Sequence, residues 1–457
     1  MTGVYPHNHG VLQVEHVVDD DQCRLRESLP HWASLLTEAG YRTAYFGKWH
    51  IERTNELQRF GWQVNGCDQA AAFRAIGSGI EETGKLLDGA NPVRYYIGPD
   101  GYRDVLHYAV TNADPQSRTF VRVTDAAIDF LKTAGAGPWA CMVSFSEPNT
   151  PLIASRYAYE RYDVSSIDLP ASLHDPFNAS PALYRRQQQI LSHVTEQQWR
   201  ELRACYMALT TELDAQLGRL IAALEQWGSP TNTIVMVLGD HGRYLGAHGF
   251  DAHNFGGFEE AYTVPFIAAG PGIASATESA AHVSLVDLFP TLLQLAGISP
   301  AQDKDGKPTA LDGRSFADLL TAPAAAASQH TTSFAEYFGT RYLLTQRILW
   351  HGRYKLVYNG FDFDELYDLR NDPDELENLA VDHSHRTTYR ELMARLWHEL
   401  KRTQDRSLLE THYPPMRIGV VGPCHESRSF LGQLCRSMGT SMLLSRTVRG
   451  KSRAARF

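Results

Sequence analysis

The chain has 457 residues, a formal net charge of −9 and 43% hydrophobic residues. This length exceeds one typical domain and predicts a large α/β domain followed by a smaller one. The acidic balance argues against a nucleic-acid partner, whose binding face is basic. No run approaches the roughly 18 apolar residues that cross a membrane, so no membrane association is expected.

The cysteines and the start of the chain give few signals. The six cysteines lack C-x-x-C spacing, which argues against a zinc site and a disulfide framework. No charged segment followed by an apolar segment opens the chain, so no signal peptide is visible and a cytoplasmic location is favoured.

The first candidate functional residues follow a short strand. Tyr41–Phe46 is predicted as a strand, and Gly47, Lys48, Trp49 and His50 come directly after it. If the extended backbone continues, Lys48 and His50 project to the same side, because side chains two apart share a face. A cation and an imidazole together suit an anionic oxyester and its leaving group. The alternative is a solvated lysine and a histidine buried beside the tryptophan.

The middle of the chain predicts loops, a third strand and long helices. Residues 53–118 show little periodicity and are expected to form excursions over the active face. Thr124–Thr133 predicts a helix, Trp139–Phe145 a strand that ends in polar and proline-rich residues, and Glu196–Trp227 a long amphipathic helix.

Thr233–Leu238 is an apolar, β-branched run without alternation, which predicts a central parallel strand buried on both faces. It stops at Gly239, Asp240, His241 and Gly242. Because ligands bind at the carboxyl ends of strands in α/β sheets, Asp240 and His241 are candidates for half of a divalent-metal site or for an acid/base pair. The alternative is that Asp240 caps the following turn and His241 lies on the surface.

The C-terminal part predicts a smaller module. Ile348–Tyr358 alternates as a strand does, and Thr387–Thr403 is an amphipathic helix. The expected domains are a catalytic domain over residues 1–300, an α+β subdomain over 301–415 and a partly disordered tail over 416–457.

Seven blocks in collinear order resemble the successive motifs of the sulfatase family, within the alkaline phosphatase superfamily. The resemblance covers roughly residues 2–400. The blocks are TGVYPHNHGV at 2–11, GYRTAYFGKWHIER at 40–53, SFSEPNTP at 144–151, LGDHGRYLGAHG at 238–249, FEEAYTVPFIAAGPGI at 258–273, SLVDLFPTLLQLAGI at 284–298 and ELYDLRNDPDELENLA at 365–380.

The resemblance implies an alkaline-phosphatase-like α/β sandwich, with a central, mostly parallel sheet and a small C-terminal α+β subdomain. It implies hydrolysis of a small-molecule or glycan sulfate ester. The family uses a formylglycine, made from the Cys or Ser of a C/S-x-P-x-R motif, and one divalent cation, often calcium. By position, Asp240 and His241 are implied metal ligands, while Lys48 and His50 are implied to contact the sulfate and the formylglycine hydrate.

The chain departs from the family pattern at its nucleophile. In the family this motif lies just upstream of the block at residues 2–11, and no C/S-x-P-x-R occurs in this sequence. Cys424, in CHESR, lacks the proline and lies at the opposite end. We therefore expect an N-terminally truncated chain without the formylglycine motif, inactive as written.

Other departures concern the site residues. Asn149 occupies the position of the family's P-H-x-P histidine, where it is expected to hydrogen-bond to substrate. The family's lysine after DHG falls at His253 or Asn254. His253 is assigned as catalytic because a protonated imidazole can replace a cation, and Asn254 as substrate-binding. Because His241 offers a nitrogen ligand, manganese is an alternative to calcium as the bound cation.

The same residues are compatible with two other functions. A phosphonate or phosphate ester hydrolase of the same superfamily would use the same cations for a tetrahedral anion. A non-catalytic remnant would at most bind anions.

Overall fold

The computed structural model describes residues 1–14, 19, 22–68, 86–87, 89–96, 104–251, 253, 255–299, 310–339, 342, 344–360 and 362–410. Contacts divide the chain into two compact units, Met1–His383 and Ser384–Phe457. The predicted domain limits at residues 300 and 415 stay predictions, and the tail predicted over 416–457 lies outside the described residues. None of the described helices combines the length and hydropathy that a membrane span requires.

The described strands and helices alternate along most of the chain. The strands are β1 (Arg42–Gly47), β2 (Val64–Cys67), β3 (Val93–Tyr96), β4 (Asp104–Thr111), β5 (Trp139–Ser144), β6 (Leu152–Ser155), β7 (Val235–Leu238), β8 (Phe266–Ala269), β9 (Thr332–Tyr337), β10 (Gln346–His351), β11 (Tyr354–Asn359) and β12 (Glu365–Asp368). The helices of five or more residues are α1 (Trp32–Glu38), α2 (Thr119–Thr133), α3 (Ala182–Ile190), α4 (Glu196–Trp227), α5 (Leu288–Leu295), α6 (Ala317–Thr321) and α7 (Arg386–Thr403). One-turn helices lie at Pro6–His9, Arg156–Tyr159, Glu259–Tyr262, Pro323–Ala326 and Arg406–Leu409.

The sheet that positions the site is parallel and has the order β2–β1–β5. Its middle strand β1 is covered on both faces. Tyr45 packs with Trp49 and Trp62 on one face, while Phe46 packs with Phe130 of α2 on the other. The strands predicted at 41–46 and 139–145 are both confirmed as β1 and β5.

A second sheet lies in the stretch that was predicted as excursions. Strand β4 pairs antiparallel with β3 and parallel with β6, and all three belong to one three-stranded sheet. Its buried residues Tyr108 and Leu152 pack against Leu202 and Leu209 of α4. The expectation of excursions over 53–118 is therefore wrong for β2, which pairs with β1, and for β3 and β4, which pair with each other, with β4 packed against α4.

The strand before Asp240 differs from the prediction. Strand β7 pairs antiparallel with β8, and within the described part of the chain this is its one strand partner. Leu238 is 38% exposed and Ile267 of β8 is 63% exposed. The prediction of a parallel strand buried on both faces is wrong here. An apolar run indicates that a strand can be buried, but it does not specify whether that strand pairs parallel or antiparallel.

The remaining sheet is antiparallel, with the order β12–β11–β10–β9. The single strand predicted over 348–358 is a hairpin, in which β10 and β11 are joined through Gly352 at φ +58°. A left-handed residue is favourable for glycine and turns the chain back on itself. In the second unit, α7 confirms the helix predicted over 387–403.

Candidate active site

Three strand ends bring distant residues together. Lys48 follows β1, Asn149 lies five residues after β5, and Asp240 lies two residues after β7. Gly47 permits the sharp turn that presents Lys48. Its φ is +92°, and a Cβ at this position would lie 1.9 Å from the carbonyl oxygen of Ser144. The lysine backbone N–H then donates to that same oxygen at 2.9 Å.

Lys48 and Asp240, each predicted to follow a strand, come together in the structure. The lysine Nζ lies 3.4 Å from the aspartate Oδ2, although 192 positions separate the residues. Burial alone would raise the pKa of Asp240, but the neighbouring His241 and Lys48 outweigh it and hold the pKa below its usual range. The carboxylate is therefore ionised at neutral pH.

His241 presents a lone pair toward this carboxylate. Its Nδ1 lies 3.0 Å from the carbonyl oxygen of Gly242, and a carbonyl can only accept, so Nδ1 carries the hydrogen. Burial lowers the pKa of His241, which favours the neutral ring with a bare Nε2. That Nε2 lies 3.6 Å from Asp240 Oδ2.

The Asp240–His241 pair fits a divalent cation in part. Two electron-pair donors facing each other at this distance are stabilised by a cation between them, and oxygen and imidazole nitrogen are ordinary ligands. No group of three or more His, Cys, Asp or Glu ligand atoms forms around them in the described ranges. The described residues therefore place two potential metal ligands, Asp240 and His241, next to each other.

His253 lies against His241, with the ring centroids 3.6 Å apart and the planes at 13°. Burial, followed by the charges of His241 and Arg243, lowers the pKa of His253 to about 2. This low pKa, for which burial is the largest cause, does not support a protonated His253, and the predicted catalytic role of His253 stays a prediction. The ring is neutral, and its proposed catalytic role has to be that of a hydrogen-bonding group.

Asn149 is held by an arginine that sequence reasoning missed. Arg243, only 8% exposed, donates from Nη1 to Asn149 Oδ1 at 3.2 Å and from Nη2 to the hydroxyl of Thr150. The signal was its place three residues after Asp240. An arginine there is also compatible with a solvated surface turn, and its partners lie about 90 positions away.

The structure does not give His50 the predicted conformation. Strand β1 ends at Gly47, and His50 has φ +37° and is exposed. The extended backbone that would put Lys48 and His50 on one side is therefore interrupted. The predicted role of His50 stays a prediction, and Asn254 lies outside the described residues.

The turn that carries Asp240 and His241 is packed against a one-turn helix. The N–H of Gly242 donates to the carbonyl of Ala261 at 2.9 Å, and a Cβ on Gly242 would lie 2.0 Å from the carbonyl oxygen of Glu260. Only glycine allows so close an approach. The packing fixes the direction in which Asp240 and His241 leave strand β7.

Fold and site together define an α/β protein whose charged and imidazole side chains meet at the carboxyl ends of its strands. The family model for sulfatases matches residues 1–298, and the model "N-sulphoglucosamine sulphohydrolase, C-terminal" matches residues 246–405. The chain belongs to the sulfatase family, within the alkaline phosphatase superfamily, and is by that family resemblance a sulfuric ester hydrolase.

Curated relatives are named sulfatases. The chain is 27% identical to choline-sulfatase of Rhizobium meliloti over 85% of its own length and 75% of that protein. It is 25% identical to a Delta 4,5-hexuronate-2-O-sulfatase of Bacteroides thetaiotaomicron, covering 93% and 83% of the two chains. To arylsulfatase K of Mus musculus it is 32% identical, over 77% and 62%.

Solved structures confirm the predicted alkaline-phosphatase-like α/β fold. The phosphonate monoester hydrolase of Silicibacter pomeroyi matches with a TM-score of 0.69 at 22% identity, covering 89% of this chain and 85% of that one. A putative sulfatase from Bacteroides thetaiotaomicron matches with a TM-score of 0.64 at 21% identity, covering 89% and 82%. Members of the sulfatase family generally bind a divalent metal.

Proposed function

We propose that this chain binds a sulfate ester, of a small molecule or a glycan, at the site formed by Lys48, Asn149, Asp240, His241 and His253, and that this is the site of hydrolysis. The observation that carries the proposal is the meeting of Lys48 and Asp240 at two strand ends, 3.4 Å apart. Membership of the sulfatase family supports the substrate class.

The described side chains favour a tetrahedral anion. Lys48 and Arg243 bring two fixed positive charges and Asp240 one negative charge, while burial keeps His241 and His253 neutral. The excess positive charge stabilises an anion and the further charge that develops on its oxygens during ester cleavage. Asn149 and His253 add neutral hydrogen-bonding groups.

Asp240 and His241 would hold the divalent cation. When bound, such an ion supplies charge neutralisation and polarises a sulfate oxygen. The aspartate oxygen suits calcium, whereas the imidazole nitrogen suits manganese, and both ions remain candidates. No residue of the printed sequence is assigned as the nucleophile, because C/S-x-P-x-R does not occur in it. The predicted inactivity of the chain stays a prediction.

A phosphonate or phosphate ester is the second candidate substrate. Its support is the fold match to a phosphonate monoester hydrolase. The same two cations would face either tetrahedral group, so the choice between sulfur and phosphorus depends on measured rates.

The test combines anion binding with turnover. We expect inorganic sulfate to bind the full chain in titration calorimetry, and Lys48→Met to weaken binding about tenfold or more, as for loss of one charge-assisted hydrogen bond. Lys132→Met removes an equal charge from the exposed end of α2 and is the matched control. Its affinity should equal that of the unmodified chain.

Turnover then separates the candidate functions. Hydrolysis of p-nitrophenyl sulfate would support the sulfatase proposal, and a dominant rate on a p-nitrophenyl phosphonate monoester would replace it by the second candidate. Sulfate binding without turnover of either ester would assign the chain as a non-catalytic anion-binding remnant. Equal sulfate affinity in Lys48→Met and Lys132→Met would remove Lys48 from the site.

A further inference from the structure

Asn149 sits in the anion site with its carboxamide in a defined orientation. Its Oδ1 accepts two hydrogen bonds, from Arg243 Nη1 at 3.2 Å and from the backbone N–H of Thr150 at 2.7 Å. Both partners are pure donors. A flipped amide would point its own N–H groups at these two donors, so the flipped form is excluded.

The orientation leaves the amide nitrogen available. Among the described residues no hydrogen bond is made to Asn149 Nδ2, and the side chain is half-buried. Its two N–H groups are therefore presented to a ligand, and an anion oxygen is the kind of group they would bind. A neutral amide can donate to an anion only while its own oxygen points away from that anion.

Arg243 holds the Asn149 amide in place, and this contact is called the clamp below. Its second terminal nitrogen donates to the hydroxyl of Thr150, the residue next to Asn149, so one guanidinium grips two adjacent residues. The planar fork of arginine suits such a two-point contact, which a lysine cannot reproduce. Arg118 contacts the same loop, with its Nη2 3.7 Å from Glu147 Oε1.

Arg243 also lies close to the imidazoles of the site. Its charge contributes to lowering the pKa of His241 and of His253, which places it near both rings. The guanidinium is therefore a second fixed cation beside the space that an anion would occupy.

We infer that Arg243 is a positioning residue of the proposed anion site: it fixes the Asn149 carboxamide so that Nδ2 donates to an oxygen of the bound tetrahedral anion. The inference rests on the proposed function, because it assigns a ligand contact within that site. This contact would also contribute to ligand specificity, because the donor at this position is a neutral amide that a cation orients.

A double-mutant cycle tests the inference, with inorganic sulfate as the titrated ligand and the full chain as the protein. Asn149→Ala removes the donor and should weaken sulfate binding about tenfold, the loss expected for a hydrogen bond to a charged group. Arg243→Met should weaken it by about tenfold or more, because it releases the amide and removes a charge. In the Asn149→Ala background, Arg243→Met should cost only about threefold, since the clamp no longer has an amide to hold.

Two further variants keep the test decisive if Arg243→Met folds poorly. Asn149→Asp retains an acceptor for Arg243 but has no N–H to donate, so its melting temperature should be preserved while sulfate binding falls more than tenfold. Arg243→Lys keeps the charge without the two-point contact and should bind sulfate less tightly than the unmodified chain. Arg219→Met is the matched control, because this half-buried arginine bonds Gln216 and Asp125 outside the site.

The outcomes separate this inference from the proposed function. If the unmodified chain binds neither sulfate nor phosphate, the anion site itself is refuted, and the role of Arg243 with it. If sulfate binds but Arg243→Met costs the same factor with and without Asn149, or Asn149→Asp binds normally, only the clamp is refuted.

Discussion

At the scale of single residues, the buried ion cluster around Lys355 shows how proton positions depend on tertiary neighbours. Lys355 is fully buried and bonds Glu375 and, at 3.1 Å, Glu259. Burial alone would lower the pKa of Lys355, but the two glutamates outweigh it and raise that pKa. Burial raises the pKa of Glu375 to about 8. At Glu259 the charge of Lys355 outweighs the effect of burial, so the pKa of Glu259 is lowered.

The protonation of Glu375 predicts a pH dependence of stability. The folded chain keeps a proton on Glu375 up to about pH 8, whereas an unfolded chain releases it near the ordinary value of 4.5. This contribution to stability is fully present below pH 4.5 and is lost as the pH rises toward 8. Glu375→Gln, which cannot release a proton, should therefore show a smaller decline in melting temperature between pH 5 and pH 8 than the unmodified chain.

Exposed Glu377 provides the control for this comparison, because Glu377→Gln changes the same charge two residues away. Parallel pH profiles for Glu375→Gln and the unmodified chain would contradict the assignment of the proton to Glu375.

At the scale of elements, glycine turns connect the strands to the functional side chains. Gly47 ends β1 in the left-handed region, and Gly242 lets the turn after β7 lie against the helix Glu259–Tyr262. The turn residues GK and DHG could be recognised from sequence, because an apolar run that stops at glycine and polar residues marks a strand end. The pairing of β7 with β8 could not, since pairing depends on residues about 30 positions away.

The second prediction concerns Gly47. Gly47→Ala should lower the free energy of unfolding by more than about 2 kcal/mol, because it adds left-handed strain and places a methyl group against the carbonyl of Ser144. It should also weaken sulfate binding by moving Lys48. Urea denaturation measures the first effect and calorimetry the second. Gly137→Ala, where no atom lies within 4 Å of the added Cβ, should change neither quantity.

At the scale of the whole molecule, the site exists only when the strands of the first unit are assembled. Lys48 and Asp240 follow strands of two separate sheets, β2–β1–β5 and β7–β8, and they meet across 192 positions of sequence. Any ligand that binds this meeting point also binds the assembled fold and stabilises it by mass action. Metal binding can therefore be followed as thermal stability without measuring activity.

The third prediction uses this linkage. After dialysis against chelator, Mn²⁺ or Ca²⁺ at a hundred times its Kd should stabilise the chain by about 2.7 kcal/mol, seen as a rise in melting temperature. Asp240→Asn and His241→Ala should abolish the rise. His174→Ala removes a largely exposed imidazole and should retain it. A melting temperature that neither ion changes would argue against the metal pair.

The sequence by itself determined the family, the α/β class and the strands that end at Gly47 and before Gly239, and it identified Lys48 and Asp240 as candidate site residues. These follow from local patterns, since apolar runs, glycines and motif order are readable without coordinates. Tertiary structure alone decided the antiparallel direction of β7 and the lowered pKa of His253. It also decided the positive φ of His50 and the hydrogen bond from Arg243 to Asn149. Each depends on burial or on partners far away in sequence, because desolvation and hydrogen-bond geometry arise only when distant segments come together.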